Sequence, residues 1–127
     1  MEERKGMKIY IGHSSGMDFV ENLYQPLNRS NLSEDHELVF PHDDSTKLFD
    51  SKSFLENEAD LMVAEVSNAS TGLSIELGWA DLFDVTIICV YRESDEPSSS
   101  IDALDCRKFE YRNKVEMVEK LEKTLAI

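Results

Sequence analysis

A chain of 127 residues has room for one hydrophobic core and not for two, so it reads as a single domain spanning 1–127. Hydrophobic residues at 41% and charged residues at 31% exclude a disordered chain and a disulfide scaffold; Cys89 and Cys106 supply neither a framework nor metal-ligand spacing, and no metal is expected. A formal net charge of −13 excludes nucleic acid and anionic membrane surfaces as partners, because both repel it at long range, and leaves small ligands and other proteins.

Residues 1–8 are charged and lack the apolar stretch of a secretory signal, and no later run approaches the length of a membrane span, so a cytoplasmic protein is expected. The first strand is read at residues 8–12. Phe19, Val20, Leu23 and Leu27 then share one helical face; Ser15 with Asp18 resembles a capping box, and Pro26 ends or bends the helix. A second strand at 37–40 precedes a shorter helix suggested by Leu48, Phe54 and Leu55. The runs at 61–66 and 85–91 are almost uninterruptedly apolar and should be the central strands, separated by a helix that begins near Leu73. A weaker fifth strand at 108–111 belongs at an edge, with Cys106 in the connection before it. Asn113 with Glu116 forms a second capping pair, followed by a packing stripe of Val115, Val118, Leu121 and Leu125. Short apolar runs alternating with helical periods predict an α/β fold, a mainly parallel five-stranded sheet covered by helices on both faces.

Ligands of open parallel sheets bind beyond the carboxyl ends of the strands. Four loops leave those ends here, and all carry hydroxyls: His13-Ser14-Ser15-Gly16, His42-Asp43-Asp44-Ser45, Ser67-Asn68-Ala69-Ser70-Thr71-Gly72, and residues 93–100 ending in Ser98, Ser99 and Ser100. Turns and caps are rich in such residues anyway. Their convergence on one rim, beside the N–H groups of following helices, suits a sugar or a phosphate.

Glu76 stands out on the helix after the third strand. At helical spacing it shares a face with Leu73, Trp79, Ala80 and Phe83, where an apolar side chain is expected. A charge placed there costs stability unless it is paired or kept for chemistry with a raised proton affinity. The competing reading is a first-turn Glu that gains from the helix dipole and caps backbone N–H groups.

Residues 59–67 (ADLMVAEVS) and 70–80 (STGLSIELGWA) resemble the signature of the nucleoside 2-deoxyribosyltransferase family, and are most similar to its branch of 2′-deoxynucleoside 5′-phosphate N-hydrolases. Residues 9–16 and the fourth-strand region match more loosely, in the same order. The resemblance implies a Rossmann-like or flavodoxin-like domain that needs no cofactor and acts on the bond between base and sugar of a (deoxy)nucleoside 5′-monophosphate. It makes Glu76 the nucleophile, which forms a glycosyl ester that water, or a second base in the transferases, resolves. Ser70 and Ser100 match the branch's phosphate-contacting serines. Ser14, with Gly12 at the end of its strand and Gly72 beside Ser70, borders the same subsite. Ser100 is implied to reach the neighbouring subunit's site, which makes the protein a homodimer with shared active sites.

One position departs from the family. Lys52 stands where the family carries an acid that protonates or orients the leaving base, and Asp50, Asp43 or Asp44 are the candidates to replace it. Glu65, an acid at the end of a buried strand, is read as shaping the rim through hydrogen bonds or as a helix cap. His13, His36 and His42 lack triad or metal spacing, and only His42 is given a role, a contact to the base. The rival readings are a flavin mononucleotide binder, since Ser14-Ser15-Gly16 faintly resembles the flavodoxin phosphate loop, and a family member that binds nucleotides with little turnover. A response-regulator receiver lacks its acidic residues here.

Overall fold

The computed structural model describes residues 6–43 and 49–126. Asp44, Ser45 and Leu48, named above as rim or core candidates, lie outside them. Five strands, β1 (Lys8–His13), β2 (Glu37–Val39), β3 (Leu61–Glu65), β4 (Thr86–Arg92) and β5 (Cys106–Tyr111), form one sheet in the order β2-β1-β3-β4-β5. Every neighbouring pair is parallel, so the sheet is wholly parallel. The two apolar runs expected at the centre form interior strands, β3 and β4, and the weak fifth run is an edge strand as expected. It starts earlier than its apolar residues suggest, which places Cys106 on β5, not in a connection.

Alternation along the strands divides the core into two layers. Ile9 and Ile11 of β1, Leu61 and Val63 of β3, and Ile88 and Val90 of β4 face one side. That side is covered by α1 (Gln25–Asn28), α2 (Leu32–Asp35) and α5 (Lys114–Thr124), through Leu27, Leu32 and Leu121. Tyr10, Met62, Ala64, Ile87 and Cys89 face the other side, where α3 (Ser51–Asn57) contributes Phe54 and Leu55 and α4 (Thr71–Leu82) contributes Leu73, Leu77 and Ala80. The result is a three-layer α/β sandwich with the flavodoxin strand order.

Several local expectations need correction. The helix after β1 begins with a π turn at Val20–Tyr24, in which the Gln25 N–H donates to the Val20 carbonyl, and runs on through Pro26 into α1. The wide turn precedes a residue that has no N–H to donate, so Pro26 alters the helix without stopping it. No side chain caps this segment, and Ser15 lies in a turn before it, so the Ser15–Asp18 box does not form. The wider turn also shifts the apolar face, leaving Val20 48% exposed. At α5, Asn113 caps as expected, accepting from the Glu116 N–H at 2.9 Å; the Glu116 carboxylate reaches back to the Arg112 N–H at 2.8 Å. Met117, not Val115, fills the core above Leu121, and Val115 is 64% exposed. The unbranched Met117 side chain reaches the sheet from a position one step around the helix from the expected stripe.

Candidate active site

The carboxyl ends of β1 and β3 lie side by side at the centre of the sheet, where the chain turns outward in opposite directions to β2 and to β4. This is the topological switch point of the fold, and Glu76 of α4 lies against it. Helix α4 begins at Thr71, which places Glu76 in its second turn. The first-turn capping reading therefore fails: Ser70 is the N-cap, its oxygen accepting from the Leu73 N–H at 3.2 Å.

The Glu76 carboxylate turns inward. Its Oε2 accepts from the Tyr10 hydroxyl at 2.9 Å, and the Ser51 hydroxyl stands at a longer 3.4 Å. Tyr10 and Ser51 are themselves 2.6 Å apart. Its Oε1 has no hydrogen-bond partner among the described residues and faces Gly12, where a Cβ would stand 3.6 Å from it. Desolvation pushes the carboxyl's proton affinity up, opposed by the Tyr10 hydrogen bond, the nearby His42 and Ser51. Desolvation, then the charge of Glu76, pushes the Tyr10 hydroxyl up as well, so it stays a donor. Gly12 is needed for space: a Cβ would fall 2.5 Å from Met62 Cε and 3.2 Å from Leu73 Cδ1.

On the other side of β1, His13 is buried and stacked on Phe19, with ring centroids 4.3 Å apart. Its Nδ1 meets the Ser14 carbonyl at 2.9 Å, and a carbonyl can only accept, so Nδ1 carries the hydrogen. Burial holds the ring's proton affinity down, so the ring is neutral and its Nε2 accepts from the Tyr24 hydroxyl at 2.7 Å. The Tyr24 oxygen in turn accepts from the His42 N–H at 3.1 Å. This chain ties the loop after β2 to the loop after β1. The exposed His42 ring packs edge-on against His13 at 5.2 Å.

Glu65 fastens the far half of the rim. It is 1% exposed, and its carboxylate accepts from the Ser67 N–H at 2.7 Å, the Ser67 hydroxyl at 2.9 Å and the Tyr111 hydroxyl. The Ser67 oxygen also accepts from the Arg92 N–H at 2.8 Å, so one buried acid links the ends of β3, β4 and β5. Of its two readings, the rim-shaping one describes these bonds.

The remaining candidates are dispersed around this centre. Ser14 is 2% exposed, and its Oγ is without a hydrogen-bond partner among the described residues. Ser70 keeps its hydroxyl hydrogen free to donate, next to the open first-turn N–H groups of Thr71 and Gly72. No close contact demands a glycine at Gly72, whose Cβ would meet open space. Ser100 sits exposed on a 3₁₀ turn, Ser99–Ala103, paired with Ser98 at 2.8 Å. Asp50 caps α3, accepting from the Ser53 N–H at 3.1 Å, Asp43 is exposed after β2, and Lys52 is exposed on α3; no hydrogen bond joins any of them to Glu76. Among the described residues of that segment, Ser51 reaches Glu76. Sequence reading missed Tyr10 and Ser51. For Tyr10 a signal existed, since a tyrosine inside a buried strand needs a partner for its hydroxyl; for Ser51 there was none.

Among the described residues no group of three or more His, Cys, Asp or Glu side chains is placed to hold a metal ion, and no helix is long and apolar enough to cross a membrane. Neither a family model nor a curated protein matches the chain. Among solved structures, the CMP N-glycosidase BcmB of Clostridium botulinum superimposes with a TM-score of 0.63 at 22% sequence identity, over 91% of this chain and 98% of that one. The two proteins share a fold.

Proposed function

We propose that the chain cleaves the N-glycosidic bond of a (deoxy)nucleoside 5′-monophosphate, with Glu76 as nucleophile and water as the final acceptor. The observation that carries this reading is the Glu76 carboxylate at the switch point, with Oε2 held by Tyr10 and Oε1 beside Gly12 with no hydrogen-bond partner among the described residues. Attack of Oε1 on C1′ forms a glycosyl ester as the C1′–N bond breaks, and its electron pair leaves with the base, which takes from solvent the proton that the attacking water of the next step gives back. Water then attacks C1′, returning the carboxylate and releasing the sugar phosphate. Ser70, Ser14 and the N–H groups of Thr71 and Gly72 suit the 5′-phosphate, and His42 suits the base. The family resemblance of residues 59–80 supports this assignment, as does a fold shared with a protein whose name states that it cleaves CMP.

The proposal includes a homodimer in which Ser100 completes the partner's phosphate site. In the single chain Ser100 meets only Ser98 among the described residues, and α4 leaves Ile75 and Leu82 exposed on one face, available to a second copy. Mixing inactive Glu76 and Ser100 variants then restores part of the activity through hybrid sites; an active monomer overturns this element.

A nucleotide-binding protein with little turnover is favoured by one observation, that Asp50 is engaged as a helix cap and Lys52, at the position where the resembled family carries an acid, is exposed. Chromatography of products from a panel of deoxynucleosides and ribonucleosides and their 5′-monophosphates, with and without an acceptor base, decides among hydrolysis, transfer and binding. Free base with at least about tenfold preference for the monophosphates is expected, the worth of one or two hydrogen bonds to a charged group. Absence of turnover across the panel refutes the proposal.

A further inference from the structure

Ser51 is the first residue of α3, yet its side chain does no work for that helix, because Asp50 supplies the cap. Its hydroxyl is half-buried and points to the Tyr10 oxygen at 2.6 Å, while its distance to Glu76 Oε2 is 3.4 Å. Tyr10 has one hydrogen to give. Given to Ser51, it would leave an ionised Glu76 with only the 3.4 Å contact; given to Oε2, it makes a 2.9 Å bond, and Ser51 then donates to the Tyr10 oxygen. The negative charge selects the second arrangement. Tyr10 itself is fixed, with no exposed surface and its ring packed in a triangle with Phe49 and Phe54, each at 6.0 Å, which are themselves 5.8 Å apart. Tyr10 addresses Oε2, and the other carboxylate oxygen is left facing Gly12, with no hydrogen-bond partner among the described residues.

We propose that Ser51 is a positioning residue for Glu76: it donates to Tyr10, Tyr10 donates to Oε2, and this two-hydroxyl chain presents Oε1 as the attacking atom. It stands beside Lys52, at the place where the resembled family carries an acid, and acts as a neutral donor through Tyr10. The inference deepens the reading of Glu76 as nucleophile and rests on it for its catalytic consequence; the hydroxyl chain itself does not depend on which substrate is cleaved.

The test follows the Glu76 side-chain carboxyl by carbon-13 NMR in ligand-free protein, with Glu76→Gln assigning the signal. Among the described residues the groups that face Glu76 are Tyr10 from β1, Ser51 from α3, His42 from the loop after β2 and, at longer range, Tyr24 from the π turn, so each titration is repeated with His42→Gln to remove the imidazole. Ser51→Ala raises the midpoint by about 0.3–0.6 pH units, as expected for losing the cooperative support of a charge-assisted bond. Tyr10→Phe raises it further, and Ser51→Thr restores the wild-type value. With substrate, Ser51→Ala lowers kcat severalfold at unchanged KM and moves the acid limb of the pH profile by the same amount as the NMR midpoint. Should Ser51→Ala fold poorly, Ser51→Cys, a weaker donor of similar size, shifts the midpoint in the same direction. A midpoint unmoved by either substitution overturns the proposal. Midpoints that move as expected in a protein that cleaves no nucleotide leave the hydroxyl chain standing and refute the assigned reaction, whereas turnover with unmoved midpoints does the reverse.

Discussion

Replacing Glu76 by Gln separates stability from chemistry. The amide keeps an oxygen to accept from Tyr10, now at 2.9 Å, and the residue keeps its place above Gly12, so packing changes little. What disappears is a negative charge held in a desolvated position, whose proton affinity is raised by that burial. An acid with a raised folded-state affinity contributes most to stability when protonated, below the ordinary carboxylate range near pH 4, and loses that contribution as pH rises through its folded value. The Gln variant has no such loss. It should therefore be more stable than the wild type at pH 7 to 8, by about 0.5–1 kcal/mol or roughly 2–5 °C in melting temperature for a domain of this size, with the advantage vanishing toward pH 4. Activity moves the other way. An amide cannot form the glycosyl ester, and turnover should fall by about a thousandfold or more, about 4 kcal/mol of barrier. Thermal melts of both proteins from pH 4 to 8, paired with product chromatography, measure both effects. A melting difference that does not change with pH refutes the argument about burial, and a folded variant that retains turnover refutes the nucleophile.

Two further substitutions test how the site is built. Gly12→Ala places a methyl group 2.5 Å from Met62 Cε and 3.6 Å from Glu76 Oε1; Met62 can swing its terminal methyl aside only into a filled core, so a loss of about 1–3 kcal/mol in denaturant unfolding is expected, with a larger proportional loss of kcat. Unchanged stability would mean that the core beneath Glu76 yields more easily than its packing implies. Tyr111→Phe removes one donor from the buried Glu65 carboxylate, which keeps its two bonds to Ser67, and should cost about 1.5–3 kcal/mol in the same assay while loosening the ends of β3 and β5; a loss below about 0.5 kcal/mol, half an ordinary hydrogen bond, would show that water replaces the hydroxyl at no penalty.

Local pattern determined a good deal of this protein. The alternation of Ile9 and Ile11 with Tyr10 and Gly12, the apolar runs of the third and fourth strands, and the Asn113 cap depend on neighbours within a few residues, and each is found where the sequence places it. The helix after β3 likewise shows Glu76 as a charge on an apolar face without reference to any other element. Tertiary structure decided what that charge meets. Tyr10 lies 66 positions from Glu76 and 41 from Ser51, and the three come together only because β1 pairs with β3 while α3 and α4 pack on the same side of the sheet. The same holds for the exposure of Val115 and the burial of Met117, and for a helix that runs through Pro26 by widening one turn. Periodicity states which face a side chain takes; the contacts across that face follow from strand order and layer packing, which bring together residues whose local surroundings carry no trace of one another.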